Sequence, residues 1–412
     1  MAFPGWILKM LRRGGFRTQL SERAAIYTEP LEYEPCGAVH VHAVSVGEIM
    51  LAIKLIREWL VDQPEQEFVL ATGTATGHAV ATAANLPNSR VTYAPLDFRW
   101  VVRRYLNRFE PSQIVLIEGE VWPHLLLECQ RRGIPVRLVN ARMSPRSARR
   151  FSQFAEWLQP IYRLLGAVAL QEKEDTEIWK RLGISPEKIH VTGSLKYDPG
   201  SGQHPTPRTE FQEIIDSFGK ERPVILAAST FAGEEVFIAQ AIFEAAPHAL
   251  AMIAPRHAER RAEVKADLEK ADFTVQLRSA ERKSAPHDRR HVLMIDTTGE
   301  LRDWTAHADV VIIGKSFLST GGQNPGEAIL AGKPVIFGPH MENFQPLASQ
   351  LIAGNAVFSV SEKNELIKAI QAALNPENAK KLTSSASSLL ARHDGATRRI
   401  LALLDAIKIA KF

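Results

Sequence analysis

The sequence predicts an α/β protein of two Rossmann-like domains facing a cleft. Three observations carry this. The chain has 412 residues, too many for one compact core and suited to two domains of about 200 each. Short apolar runs rich in β-branched residues alternate with amphipathic stretches, the pattern of parallel strands covered by helices on both faces. The series then occurs twice, on either side of DPGSGQHPTPRT (198–209), whose Pro, Gly and polar residues read as a linker. The expected domains are 1–200 and 210–412.

Taken in order, the first series places strands at 38–44 (AVHVHAV), 68–73 (FVLATG), 113–118 (QIVLIE), 135–140 (PVRLVN), 167–171 (AVALQ) and 189–193 (IHVTG). Amphipathic stretches such as 49–63 and 174–182 lie between them. The second series is 223–228 (PVILAA), 250–254 (LAMIA), 273–277 (FTVQL), 291–295 (HVLMI), 310–314 (VVIIG) and 334–338 (PVIFG). Whether a final helix, from about 394, crosses back to brace the first domain is open at this level.

Composition narrows the class. At 45% hydrophobic and 23% charged residues the chain is ordinary globular protein. Cys36 and Cys129 stand far apart without CxxC spacing, which argues against a disulfide framework or a zinc site and suits a reducing compartment. No His, Asp and Cys cluster has metal-ligand spacing, so neither metal nor cofactor is expected. No apolar run reaches the ~20 residues that span a bilayer. Residues 1–23 set Phe3, Trp6, Ile7, Leu8, Met10, Leu11 and Phe16 among Lys9, Arg12, Arg13, Arg17 and Arg23, which predicts a helix lying in the headgroup layer. A helix docked on the protein itself is the alternative. Residues 99–150 hold eleven Arg against four Glu, pointing to an anionic ligand or surface. Nucleic acid is not expected, since no basic run is interleaved with stacking aromatics. A nicotinamide site would need GxGxxG after a strand, and none is present.

The chemistry-bearing stretches sit at strand ends, where open α/β sheets bind ligands. In VHVHAVSVGEIM (39–50) Ser45 and Glu48 have capping-box spacing. Yet Gly47 weakens a helix start by about 1 kcal/mol and makes sense where something passes close to the backbone. Glu48 is therefore a candidate base as well as a cap. IEGEVWPHLL (117–126) offers Glu118 and Glu120, with the arginines of NARMSPRSARR (140–150) to compensate them. TGSLKYD (192–198) offers Lys196. In APRHAERR (254–261), Arg256 follows a strand and could fork onto a phosphate. In GGQNPGEAILAGKP (321–334), Asn324, Pro325 and Glu327 fit N-cap, first helical position and N3. They equally fit a ribose and phosphate site at a helix start.

In this order and spacing, HAVSVGE (42–48), IEGEVWP (117–123), NARMSPRSARRF (140–151), TGSLKYD, AASTFAGEE (227–235), PRHAER (255–260), TGEL (298–301) and GGQNPGEA (321–328) resemble the 3-deoxy-D-manno-octulosonic acid (Kdo) transferases, of the GT-B glycosyltransferase fold. The resemblance runs from about residue 36 to the C-terminus. It implies metal-free, inverting transfer of Kdo from CMP-Kdo to a lipid A precursor (lipid IVA) at the cytoplasmic face of the inner membrane, in lipopolysaccharide biosynthesis. By the same resemblance Glu48 is the proton acceptor, and Glu118 and Lys196 stabilise the transition state. CMP contacts map to Pro255, Arg256, Thr298, Gly299, Glu300, Asn324, Pro325, Gly326 and Glu327. The chain departs from the family at Gly119, at Phe231 and Ala232 (where STHEGE is usual), at Lys315 (Gly-Gly-Ser) and at Gln323 and Gly326 (His-Asn-Pro-Leu-Glu). These departures leave two alternatives, a GT-B transferase using another activated sugar and a catalytically silent lipid- or nucleotide-binding relative.

Overall fold

The computed structural model describes residues 20–27, 36–119, 121–143, 145–198, 205–280 and 290–409. They form two compact units, divided at Ser201/Gly202 and again at Arg392/His393. Each unit is an all-parallel seven-stranded sheet with helices on both faces.

In the first unit the strands are β1 (Val39–Ala43), β2 (Phe68–Thr72), β3 (Ser89–Tyr93), β4 (Gln113–Ile117), β5 (Val136–Ala141), β6 (Ala167–Leu170) and β7 (Ile189–Val191), in the spatial order β3-β2-β1-β4-β5-β6-β7. Alternate residues feed two cores, as a period of two requires. Val41, Leu70, Val115 and Ile117 pack under the helix Val46–Asp62. Val69, Ile114, Leu116 and Leu138 pack under Arg99–Phe109 and Pro123–Arg132.

The last helix, Ala396–Ile409, belongs to this unit: Ile400, Leu401 and Leu404 are buried in the same core as Ile53 and Leu55. Its start is capped from elsewhere, because the Asp198 carboxylate accepts from Gly395 N at 3.1 Å and Thr397 N at 2.6 Å, satisfying amides that a helix cannot satisfy itself. The expected second domain of 210–412 therefore ends early, since the apolar face of this helix finds its cover on the first sheet.

Residues 1–19 of the expected interfacial helix lie outside the described residues. Leu20–Arg23 is a short helix that docks on the protein. Arg23 is buried, donating to Gly73 O at 2.9 Å and stacking 4.5 Å over the Tyr93 ring, and Glu22 accepts from Tyr93 N. Arg23 thus serves the first sheet rather than a headgroup layer.

The second unit orders its strands β10-β11-β9-β8-β12-β13-β14. These are β8 (Val224–Thr230), β9 (Leu250–Pro255), β10 (Thr274–Leu277), β11 (His291–Met294), β12 (Val310–Ile313), β13 (Val335–Phe337) and β14 (Phe358–Ser359). Ile225, Ala251, Val292, Ile312 and Ile336 meet the helices Glu234–Ala245 and Lys363–Leu374 in one core. Among the described residues no helix is long and apolar enough to cross a membrane.

Candidate active site

In each sheet the strand order reverses between two central strands, β1 and β4 in the first and β8 and β12 in the second. Such a switch point opens a crevice at the carboxyl ends of the strands, where ligands bind. Four non-glycine residues with positive φ lie there: Glu118 (φ 65) after β4, Asn140 (φ 53) in β5, Ser229 (φ 56) in β8 and Lys315 (φ 55) after β12. The strand pairing also shifts register between Leu138 and Ala141 and between Ala228 and Thr230. Bulges re-aim side chains, and strained backbone concentrates at functional sites.

Glu48 is half-buried in the first turn of the helix after β1. Ser45 caps that helix, accepting from Glu48 N at 3.3 Å, and its hydroxyl donates to Glu48 Oε1 at 2.8 Å. Val44 N donates to Oε2 at 2.8 Å. The box is closed through Val44 rather than the cap's own amide, and both oxygens are held in place. A Cβ on Gly47 would come no nearer than 3.8 Å to another group, so the chain's own packing leaves the space beside Glu48 open.

Lys196 lies on a loop fixed from three sides. Asn140 Oδ1 accepts from Leu195 N at 2.8 Å, Lys54 Nζ donates to Leu195 O at 2.8 Å, and the buried His393 ring accepts from Ser194 N at 3.2 Å. Around the lysine stand Arg142, whose Nε lies 3.3 Å from Glu118 Oε2, and Tyr197. Glu118 and Lys196 are thus brought into one charged cluster. Glu120, the other half of the expected carboxylate pair, lies outside the described residues. Burial, with Arg142 adding to it against Glu118, pulls the Lys196 ammonium down to about 8. If Lys196 acts as a cation, kcat/KM, which reports the free enzyme, falls along an alkaline limb near pH 8. Lys196→Arg should move that limb beyond the accessible range while keeping activity; an unmoved limb assigns it to another group.

The second unit holds a cavity of about 440 Å³ lined by Ser229, Arg256, Gly299, Arg302, Gln323, Asn324 and Glu327, among others. Arg256 follows β9, its amide bonded to Thr230 O at 2.9 Å. The helix at the Asn-Pro stretch is Gly326–Leu330, one residue later than expected, with Pro325 as its cap. Asn324 Oδ1 accepts from Gly326 N at 2.9 Å. Glu327 does not close a box; its carboxyl faces the cavity, raised above the usual range by burial, which Arg302 and Arg256 oppose. Two guanidiniums, two carboxamides and a carboxyl around one cavity suit a phosphate and a diol.

Glu300 also has a structural task. Its carboxylate accepts from Thr297 Oγ1 at 2.5 Å and Trp304 Nε1 at 3.4 Å and pairs with Arg278 at 3.3 Å, so it ties down its own turn. Of that motif Gly299 lines the cavity, whereas Thr298 is exposed. Pro255, Pro325 and Gly326 shape the backbone next to the lining. In the basic APRHAERR stretch, Arg260 is structural, bridging Glu235 at 2.8 Å and Glu263 at 3.0 Å.

Three residues escaped the sequence reading. Arg302, three positions beyond Gly299 in the cavity wall, looks like any helix-surface arginine. Ser229 matters through a bulge. Glu234 is fully buried, and its carboxylate accepts from Phe231 N (3.0 Å), Lys315 N (2.5 Å), Phe317 N (3.0 Å) and Leu318 N (3.4 Å). It therefore sews together the loops after β8 and β12, on either side of the switch point. A Gly-Glu-Glu run just after a strand was its only local signal.

The family profile described as "3-Deoxy-D-manno-octulosonic-acid transferase (kdotransferase)" matches residues 18–199. The chain is 31% identical over 398 residues to the 3-deoxy-D-manno-octulosonic acid transferase of Haemophilus influenzae, covering 94% of this chain and 91% of that protein. It is 33% identical over 422 residues to the Bordetella pertussis protein of the same name, covering 97% and 95%. In fold it is similar to a glycosyltransferase of Rickettsia africae (TM-score 0.56, 12% identity, 91% of this chain and 99% of that one) and to the UDP-GlcNAc 2-epimerase of Neisseria meningitidis (TM-score 0.57, 14% identity, 89% and 99%). These likenesses bear out the expected GT-B architecture of paired Rossmann-like units.

Proposed function

The chain belongs to the 3-deoxy-D-manno-octulosonic acid transferase family, and from that premise we propose that it is a glycosyltransferase moving Kdo from CMP-Kdo to a lipid A precursor, lipid IVA, in lipopolysaccharide biosynthesis. The observation that carries the donor half is the meeting of Arg256, Arg302, Asn324 and Glu327 around one cavity. The guanidiniums suit the phosphate of CMP, and Asn324 and Glu327 suit the ribose hydroxyls. For the other half, Glu48 accepts the proton of the acceptor hydroxyl. The freed oxygen forms a bond to the anomeric carbon, and the bond from that carbon to the phosphate oxygen breaks, its electron pair leaving with CMP. Attack opposite the leaving group inverts the centre. Glu118 and Lys196 stabilise the charge that develops, Lys196 as a cation. Positioning of this kind supplies much of a displacement's acceleration.

The acceptor's acyl chains reside in a bilayer, so the protein works as a peripheral protein at the cytoplasmic face of the inner membrane. Incubation of the purified chain with enzymatically generated CMP-Kdo and a tetra-acylated precursor should add the mass of at least one Kdo. Product formed only with a UDP- or GDP-sugar would assign another donor. Donor binding with no mass gain would mark a silent relative.

A further inference from the structure

Lys315 directly follows Gly314 at the carboxyl end of β12, on the edge of the switch point. A Cβ on Gly314 would lie 2.4 Å from Thr230 Cα, so the backbone here is pressed against the bulge that presents Ser229 to the cavity. On its other side, Lys315 O accepts from Gly322 N at 2.9 Å, and Gln323, next in the chain, lines the cavity. The lysine backbone is therefore clamped between two segments of the cavity wall.

Its φ of 55° is comfortable for glycine and uncommon for a long side chain. Glycine is what the resembling family carries at this position. The strain is held in place by the Glu234 carboxylate on Lys315 N. The side chain is also directed. Its Nζ stands 5.3 Å from the centre of the Phe231 ring, and its Cε passes 3.8 Å from where a Cβ on Gly321 would sit. Phe231 is itself a departure, standing where a histidine is usual, so the two exchanged residues touch. Among the described residues Lys315 forms no ion pair, although it is half-buried. A half-buried ammonium on an aromatic face, in a strained backbone at a ligand crevice, has one unmet requirement, an anion.

We propose that Lys315 binds an anionic group of the sugar-nucleotide donor at the edge of this cavity, as a specificity-determining contact particular to this chain. The inference rests on the donor reading given above. Two groups of the donor share the required chemistry, the phosphate and the sugar carboxylate.

The substitution Lys315→Gly separates binding from folding, because glycine relieves the positive φ. The expected result is a melting temperature equal to or above that of the parent, with KM for CMP-Kdo raised about ten- to hundredfold, the size of a lost charged hydrogen bond. Lys315→Met, which keeps the stem over Phe231 but not the charge, should show the same KM. Lys315→Arg should stay within severalfold of the parent. Product inhibition by CMP distinguishes the anions: weakened inhibition points to the phosphate, and unchanged inhibition to the sugar carboxylate. An unchanged KM for CMP-Kdo in both Lys315→Gly and Lys315→Met would overturn the role of Lys315 while leaving the donor assignment intact. Absence of CMP-Kdo turnover by the parent itself would overturn that assignment and the inference with it.

Discussion

Glu48→Gln is expected to lower kcat for Kdo transfer by about 10²-fold or more, the usual cost of a lost general base, with CMP affinity near normal. The substitution is close to isosteric, and the amide oxygen can still accept from Val44 N, which reaches Glu48 Oε2 at 2.8 Å. The Ser45 hydroxyl now donates to Glu48 Oε1, but it can rotate to accept from an amide NH₂ instead. Helix capping is therefore largely retained, and thermal unfolding should move by no more than a cap is worth, about 1 kcal/mol. Ser45→Ala supplies the contrast. It removes the cap and one anchor of the carboxylate but leaves the base, so it should cost stability first and rate second. Stopped-time assays with saturating donor, paired with melting curves, separate the two. A Glu48→Gln protein with parental kcat would leave Glu48 a helix cap and nothing more.

Glu234→Ala should give the largest loss of stability of any substitution near the cavity. The carboxylate is fully buried and collects four backbone amides from two loops. Truncation leaves those amides without a partner, and each orphaned buried donor costs about 1–3 kcal/mol. Water entering the vacated space would recover part of that, so the net expectation is about 3 kcal/mol or more. Urea unfolding of the full chain should show the second unit melting at lower denaturant. Binding of CMP, measured where the protein is still folded, should weaken as well, because the same amides fix Lys315 and the loop after β8. Glu234→Gln should fall between, since one amide oxygen can serve only part of the set. A loss below about 1 kcal/mol would mean that the loops hold their shape without this carboxylate.

The sequence by itself determined the two-unit α/β architecture, because buried parallel strands must be apolar on both faces and therefore announce themselves as runs such as VVII and AVAL. It missed two strands at sheet edges. Ser89–Tyr93 is a half-exposed strand at the edge of its sheet, and Phe358–Ser359 is a two-residue edge strand; neither needs an apolar run. Motif order offers Glu48, Glu118, Lys196, Arg256, Asn324 and Glu327 as candidates, since strand ends are where an α/β sheet exposes side chains to a ligand. What each carboxylate does with its lone pairs was a tertiary matter. Glu300 is spent on Thr297, Trp304 and Arg278, Glu327 is left facing a cavity, and Glu234 is spent on backbone. All three are glutamates near a helix start, and only the neighbours that folding brings together distinguish them. The same holds for the last helix. Its apolar stripe required cover, but it was Asp198, 197 residues before Gly395, that fixed which sheet provides it. Local pattern fixes which elements form, whereas charge satisfaction across distant segments decides which residues are left for chemistry.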